Sequence, residues 1–178
     1  MSAHKPLEGV KVVELASFVA APTAGRMMAE MGADVIRVES TAGDPWRFYG
    51  ANCGLPITDE ENPLFDIYNL GKKDIQLNTK TPEGKEILFH LLDEADVFIT
   101  NNRLKSLVRS GLDYESLKDR FPKLIYGLVT GYGQTGPDVD APGYDGVAFF
   151  SRSGMLADMA EPSGYPASAP GCIGDGAT

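Results

Sequence analysis

The stretch from Gly9 to Glu39, GVKVVELASFVAAPTAGRMMAEMGADVIRVE, constrains the fold of this 178-residue chain more than any other. Val10, Val12, Val13 and Leu15 make a short, largely β-branched run suited to a buried strand. Pro22 can open a helix, because the first helical residues have no partner for their N–H groups. Ala24, Met27, Met28 and Met31 recur at helical spacing and predict one apolar face. Gly32 stops the helix, and Val35, Ile36 and Val38 start a second apolar strand. Strand, loop, helix and strand in this span describe a βαβ unit with parallel strands. Such sheets bind ligands beyond the C-terminal ends of their strands. The loop Ala16-Ser17-Phe18-Val19-Ala20-Ala21 is therefore the first place to seek a site.

A dinucleotide fold is the obvious reading of that unit, and the residues argue against it. A GxGxxG turn needs glycines so that backbone can approach a pyrophosphate, and Ala16 to Ala21 contains none. Glu39 ends the second strand where a ribose-binding acid could sit, but one acid is weak support. Since many functions share this fold, a purely structural βαβ unit is the plainer alternative.

The chain is long enough for one ordinary domain with a sizeable core. With 43% hydrophobic and 23% charged residues, its composition is that of a soluble globular protein. A formal net charge of -9 disfavours nonspecific binding to nucleic acid or to an anionic membrane. An anionic small ligand still fits if basic residues cluster locally. Cys53 and Cys172 match no metal or CxxC pattern and read as reduced thiols of a cytoplasmic protein. No run approaches the roughly 20 apolar residues of a membrane span, and no signal peptide is expected before Leu7. His4 lies near the terminus and His90 in a leucine-rich helix, neither beside an evident Ser, Cys or carboxylate partner. That disfavours a histidine-based triad or a zinc site, so a carboxylate or lysine is the expected chemical group.

Residues Ser40 to Asn69 read as a long loop broken by glycines and prolines, and such loops are usually functional or mobile. Trp46, Phe48 and Tyr49 could line an aromatic pocket there, or form a lid packed on its own scaffold. Asp74 to Asn78 is a short alternating strand. Thr81 caps a helix with Pro82 in its first turn, and Ile87, Leu88, Leu91 and Leu92 form its buried face. Val97-Phe98-Ile99 and Leu124 to Val129 are further parallel strands. The first ends at Thr100-Asn101-Asn102-Arg103, where a ligand can bind. Lys72, Lys73, Lys80, Arg103, Lys105 and Arg109 read either as a solvated surface or as cations gathered for phosphate groups. In an acidic protein the second reading is favoured. Thr130 to Pro137 carries three glycines, and Gly143-Tyr144-Asp145 leads into a short helix over Val147 to Phe150. Residues 151–178 read as a loop, rich in Pro, Gly and Ser after Gly154 and ending PGCIGDGAT from Pro170. Judged by its neighbours alone, Asp175 is a turn aspartate beside glycines.

The blocks VKVVELASFVAAPTAGRMMAEMGADVIRVES, KTPEGKEIL, LIYGLVTGYGQTGP, PGYD and GDG occur here in the order seen in family III CoA-transferases. The resemblance covers nearly all of Leu7 to Thr178. The patterns AAPTAGRMMAE with AGDPWRF, GPDVDAPGYDGVAFFSRSG and GLDYESLKDRFPKLIY are most similar to the 2-hydroxyacyl branch, the cinnamoyl-CoA:phenyllactate and 2-hydroxyisocaproate transferases of amino-acid fermentation. It implies an α/β fold, a Rossmann-like parallel sheet with helices on both faces, forming the incomplete CoA-binding large domain of such an enzyme. It also implies coenzyme A as co-substrate with no permanently bound cofactor or metal, acyl-CoA and carboxylate substrates, and an interlocked homodimer.

By the same resemblance the nucleophile is Asp175, matching the family's aspartate after a glycine. It would attack an acyl-CoA thioester to give a mixed anhydride, then an aspartyl-CoA thioester, before CoA takes the new acyl group. Val19 and Ala20 fall in the first CoA-contacting loop. Leu77, Asn78, Thr79 and Lys80, then Asn101, Asn102 and Arg103, and Arg109, fall at positions holding the nucleotide end. Tyr144 and Asp145 fall beside the catalytic centre. In formyl-CoA transferase a glutamine takes the place of Val19 and an arginine that of Ser40. The first difference implies a more apolar acyl pocket, and the second leaves the adenine contact open. An α-methylacyl-CoA racemase shares these blocks but needs a histidine base where Tyr144 stands, and a tyrosine with a pKa of about 10 serves poorly at neutral pH. A CoA-binding fragment without activity is the third reading, because the family's chains run more than twice this length. Residues 1–178 are then the expected N-terminal part of a longer enzyme.

Overall fold

A computed structural model describes residues 4–58, 60–167, 169 and 171–178. Five strands form one parallel sheet: β1 (Lys11–Leu15), β2 (Asp34–Glu39), β3 (Lys73–Gln76), β4 (Val97–Thr100) and β5 (Ile125–Leu128), in the order β3-β2-β1-β4-β5. Val12 pairs with Val35 on one side and with Val97 on the other. The central strands β1 and β4 are buried on both faces, which is why they read as almost continuous apolar runs.

Helix α1 (Ala20–Glu30) crosses one face between β1 and β2. There Val12, Ala16, Val35 and Ile99 pack with Ala21 and Ala33. The opposite face carries α4 (Pro82–Asp93), α5 (Leu104–Ser110) and α6 (Tyr114–Leu117). Val13, Leu15, Val38 and Phe98 meet Leu88, Leu92, Leu107, Leu112, Leu117 and Phe121 there. Burying each of these large side chains contributes about 1.5–3 kcal/mol. The fold is the expected α/β sheet with helices on both faces.

Several boundaries differ from the sequence reading. Helix α1 starts at Ala20, so Pro22 is its third residue, still among those whose N–H lacks an intrahelical acceptor. Its inner face is Ala21, Pro22 and Gly25, while Met27 is 49% exposed and Met31 also faces solvent. Small residues let α1 lie close to the sheet: a Cβ on Gly25 would meet Glu14 Oε2 at 1.9 Å. In α4, Thr81 Oγ1 accepts the Gly84 N–H at 3.2 Å as predicted, but Ile87 is exposed and only half-buried Phe89 and Leu91 flank Leu88 and Leu92.

The long loop expected over 40–69 instead holds two helices, α2 (Trp46–Asn52) and α3 (Pro63–Asn69). Asn62 caps α3 by accepting the Phe65 N–H, with Pro63 in the first turn. Asp59 lies outside the described residues. Trp46 packs with Val19 and Phe65, stacks on Tyr49 at 4.6 Å and donates its indole N–H to Leu64 O, so the aromatic group covers its own scaffold. In the Pro- and Gly-rich tail, helical turns α7 (Met155–Asp158) and α8 (Ile173–Gly176) replace the expected loop over 151–178, and Ser168 and Pro170 lie outside the described residues.

Beneath α1 and α3 the sheet carries buried charge. Arg37 of β2, fully buried, faces Glu14 of β1 in register and pairs with Asp44 and the side-chain amide of Asn69. Lys72 Nζ donates to Glu14 Oε2 at 2.8 Å, Pro22 O at 2.8 Å and Asn69 Oδ1 at 2.9 Å. Three acceptors satisfy its three donors, although burial pushes the Glu14 carboxyl up and the Lys72 ammonium down. Lys72 is thus withdrawn from the cations expected to meet phosphate. Lys73 pairs with Asp34 at the start of β2, and Lys105 with Asp140.

Candidate active site

A cavity of about 510 Å³ opens where the sheet order reverses, beyond the C-terminal ends of β1 and β4. The loops after β1, β4 and β5 form one side: Ser17 and Phe18, Asn101 to Arg103, and Thr130, Gly131 and Gly133. Tyr144, Phe149 and Asp175 form the other. The buried Thr100 hydroxyl ties the strand ends together, donating to Leu15 O at 2.7 Å and accepting the Asn102 N–H at 3.2 Å. Two loops then meet through glycine backbones, since a Cβ on Gly131 would lie 2.3 Å from Gly143 Cα. That contact brings Tyr144 and Asp145 over the end of β5.

The β1 loop is gripped from both sides. Asn101 accepts the Ser17 N–H at 3.0 Å and donates to Ser17 O at 2.7 Å. The Asp44 carboxylate accepts the Phe18 N–H at 3.1 Å. Phe18 adopts φ +63°, a left-handed conformation costly for a bulky residue. Its ring contacts Tyr144 edge-on, with centroids 6.2 Å apart.

Asp175 sits in α8. Gly174 is packed so tightly on Phe149 that a Cβ there would come within 2.1 Å of the ring. The Asp175 N–H donates to Asp145 Oδ1 at 3.0 Å. Burial first, and the Asp145 charge second, push the Asp175 carboxyl up to about 6. At neutral pH it is therefore mostly ionised, yet more basic than an ordinary aspartate, which suits a carboxylate nucleophile. Burial, followed by Asp175 and Asp145, raises the Cys172 thiol, so the neighbouring sulfur is held in its poorly reactive form.

The sequence-predicted residues divide into two groups. Ala20, Asn101, Asn102, Arg103, Tyr144 and Asp175 line this cavity. Asp145 stands behind Asp175 as its hydrogen-bond acceptor. Val19, 1% exposed, turns away to pack with Trp46 and Phe65. Leu77, Asn78, Thr79 and Lys80 follow β3 at the same edge of the sheet, two strands from β1, and do not line the cavity. Arg109 is exposed in the last turn of α5, also off the lining. Asn101 spends both ends of its amide on Ser17, so it holds a loop that holds the cavity.

Two contributors escaped the sequence reading. Phe18 lay in the loop singled out, but nothing in its neighbours announced a left-handed phenylalanine facing the cavity. Asp44 carried a faint signal, a Gly-Asp pair ahead of Trp46. His90 lines a separate hollow with Lys11, Asp34 and Glu94, at the opposite edge of the sheet, and supplies no base here. Among the described residues no cluster of three His, Cys, Asp or Glu could hold a metal, and no helix is long and apolar enough to cross a membrane.

Known proteins are similar to this chain in sequence and fold. The chain is 50% identical over 167 residues to the cinnamoyl-CoA:phenyllactate CoA-transferase of Clostridium sporogenes, covering 94% of this chain and 40% of that protein. It is 44% identical over 169 residues to the (R)-2-hydroxy-4-methylpentanoate CoA-transferase of Clostridioides difficile, covering 95% and 42%. A solved CAIB/BAIF family protein from Brucella suis superposes with a TM-score of 0.88 at 40% identity, over 97% of this chain and 45% of that one. The chain thus spans less than half the length of these relatives. The model of CoA-transferase family III matches residues 7–178, and the chain belongs to that family.

Proposed function

We propose that these residues form the N-terminal part of a CoA-transferase that moves CoA between cinnamoyl-CoA, or a related enoyl- or 2-hydroxyacyl-CoA, and a 2-hydroxy carboxylate, with Asp175 as nucleophile. The observation that carries the reading is the half-buried Asp175 carboxylate on the cavity wall, with its pKa raised to about 6 beside Asp145. The names of the two relatives, one acting on cinnamoyl-CoA and phenyllactate, support the substrate class.

In this mechanism an Asp175 oxygen attacks the thioester carbonyl, forming a mixed anhydride while the C–S pair leaves as CoA thiolate. The thiolate attacks the aspartyl carbonyl and expels the acyl carboxylate, giving an aspartyl-CoA thioester. An incoming carboxylate attacks that carbonyl, the thiolate leaves again, and it finally captures the new acyl group, freeing Asp175. One thioester replaces another, so the exchange needs no external energy source. Phe18, Phe149 and Tyr144 supply an apolar wall that limits water beside the anhydride. Arg103 on the cavity lining and Lys80 after β3 at the same sheet edge offer cations for the nucleotide phosphates, and Arg109, exposed in the last turn of α5, is a further one.

The enzyme acts as a homodimer in the cytoplasm, its large domain completed by chain beyond these residues. Support comes from exposed apolar groups around the β5 edge and the C-terminal turns, including Ile125, Val147 and Ile173. Incubating the complete chain with cinnamoyl-CoA and phenyllactate should yield phenyllactyl-CoA and free cinnamate. Epimerisation of a 2-methylacyl-CoA, with no CoA exchange, would replace this reading by a racemase.

A further inference from the structure

Outside the reacting groups, the strongest unassigned feature is the buried link between Arg37 and the cavity wall. Asp44 is 2% exposed, and its carboxylate gathers three donors. It accepts the Trp46 N–H at 2.8 Å through Oδ1, the Phe18 N–H through both oxygens at 3.2 and 3.1 Å, and the Arg37 guanidinium through Oδ2. Arg37 is itself fixed by Asn69 and lies over the Phe65 ring, 4.8 Å from its centroid. Among the described residues of this network, Phe18 is the one that reaches the cavity. Its φ of +63° turns the chain so that its ring stands between Trp46 and Tyr144, edge-on to both at 6.4 and 6.2 Å. A phenylalanine keeps such a conformation only where its surroundings enforce it. Asp44 and Asn101 are the enforcing contacts, gripping successive amides.

We infer that Asp44 is a positioning residue, and that through the strained backbone of Phe18 it sets an aromatic wall with Tyr144 that selects flat aryl groups on the acyl end of a thioester. The inference rests on the proposed CoA chemistry for the ligand class, and adds which residues make the aryl preference. An edge-on aryl contact contributes about 0.5–1.5 kcal/mol, so one wall residue accounts for about a fivefold preference.

The test is calorimetric binding to the complete natural chain carrying Asp175→Ala, so that the thioester is not consumed. The readout is the affinity ratio for cinnamoyl-CoA over propionyl-CoA. Phe18→Leu should lower that ratio about fivefold, Asp44→Asn should lower it similarly, and the double variant should lower it no further than either alone. An unchanged ratio in Phe18→Leu overturns the inference, as does an unchanged ratio in a folded Asp44→Asn protein. If Asp44→Asn does not fold, Phe18→Gly decides, because glycine takes φ +63° without strain. Asp44→Asn should fold in that background, and failure there assigns Asp44 to the scaffold alone and overturns the inference. Absence of any thioester binding removes the CoA reading and this inference together, whereas binding with an unmoved ratio removes only this one.

Discussion

As the proposed nucleophile, Asp175 has two opposing demands to meet, staying ionised enough to attack and basic enough to be worth attacking with. Its raised pKa also sets a sign for stability. The ordinary value is 3.8 and the folded value about 6, so between those limits the folded protein holds a proton that the unfolded chain has released. This group's contribution is full below about pH 4 and is lost as the pH rises through about 6. Asp175→Asn should therefore raise stability at pH 7.5, by about 1 kcal/mol once solvent screening of a half-exposed group is allowed for. The same change should lower transferase turnover by at least about a thousandfold. Melting temperature and rate on one preparation check both, and wild-type activity should rise with pH through about 6. Gly174→Ala is the neighbouring test. Its new Cβ would sit 2.1 Å from the Phe149 ring, so α8 must shift. Overpacking should cost about 1–3 kcal/mol, and displacement of Asp175 about a hundredfold in rate.

At the scale of elements, legibility followed the kind of signal each segment carries. Strands β1, β2 and β4 were readable because burial on both faces leaves an apolar run between turn residues, and edge strand β5 because it keeps such a run although Ile125 is exposed. Helix α4 was readable from the Thr81 cap and Pro82. The inward face of α1 was not, since Ala21, Pro22 and Gly25 look neutral in a hydrophobic pattern while exposed Met27 and Met31 look like core. Helices α2 and α3 hid among glycines and prolines, because their order comes from Trp46 and Phe65 docking on distant residues rather than from local periodicity. Lys72 was misread as a phosphate ligand for the same reason: its partner Glu14 is 58 positions away. Lys72→Met would leave Glu14 buried without its ammonium and should destabilise the protein by about 3–5 kcal/mol. The Glu14→Gln, Lys72→Met pair should cost less than that single change, as read from urea unfolding.

Over the whole molecule, the site is a property of topology before it is one of side chains. The order β3-β2-β1-β4-β5 opens a crevice between the β1 and β4 loops, and both had been marked as candidate sites from strand ends alone. What could not be read was how 139–149 and 171–178 fold back over that crevice, which depends on the Gly131–Gly143 and Gly174–Phe149 contacts. The exposed apolar groups around β5 and the C-terminal turns predict that residues 1–178 expressed alone associate in sedimentation and bind an apolar dye. A soluble monomer of this length with full transferase turnover would contradict their need for further chain. The central claim is that Asp175 becomes covalently acylated. Its most direct test is mass spectrometry of the complete chain after incubation with cinnamoyl-CoA and trapping with hydroxylamine. The account predicts a hydroxamate on Asp175 that is absent from Asp175→Ala, and turnover of the thioester with Asp175 unmodified would contradict it.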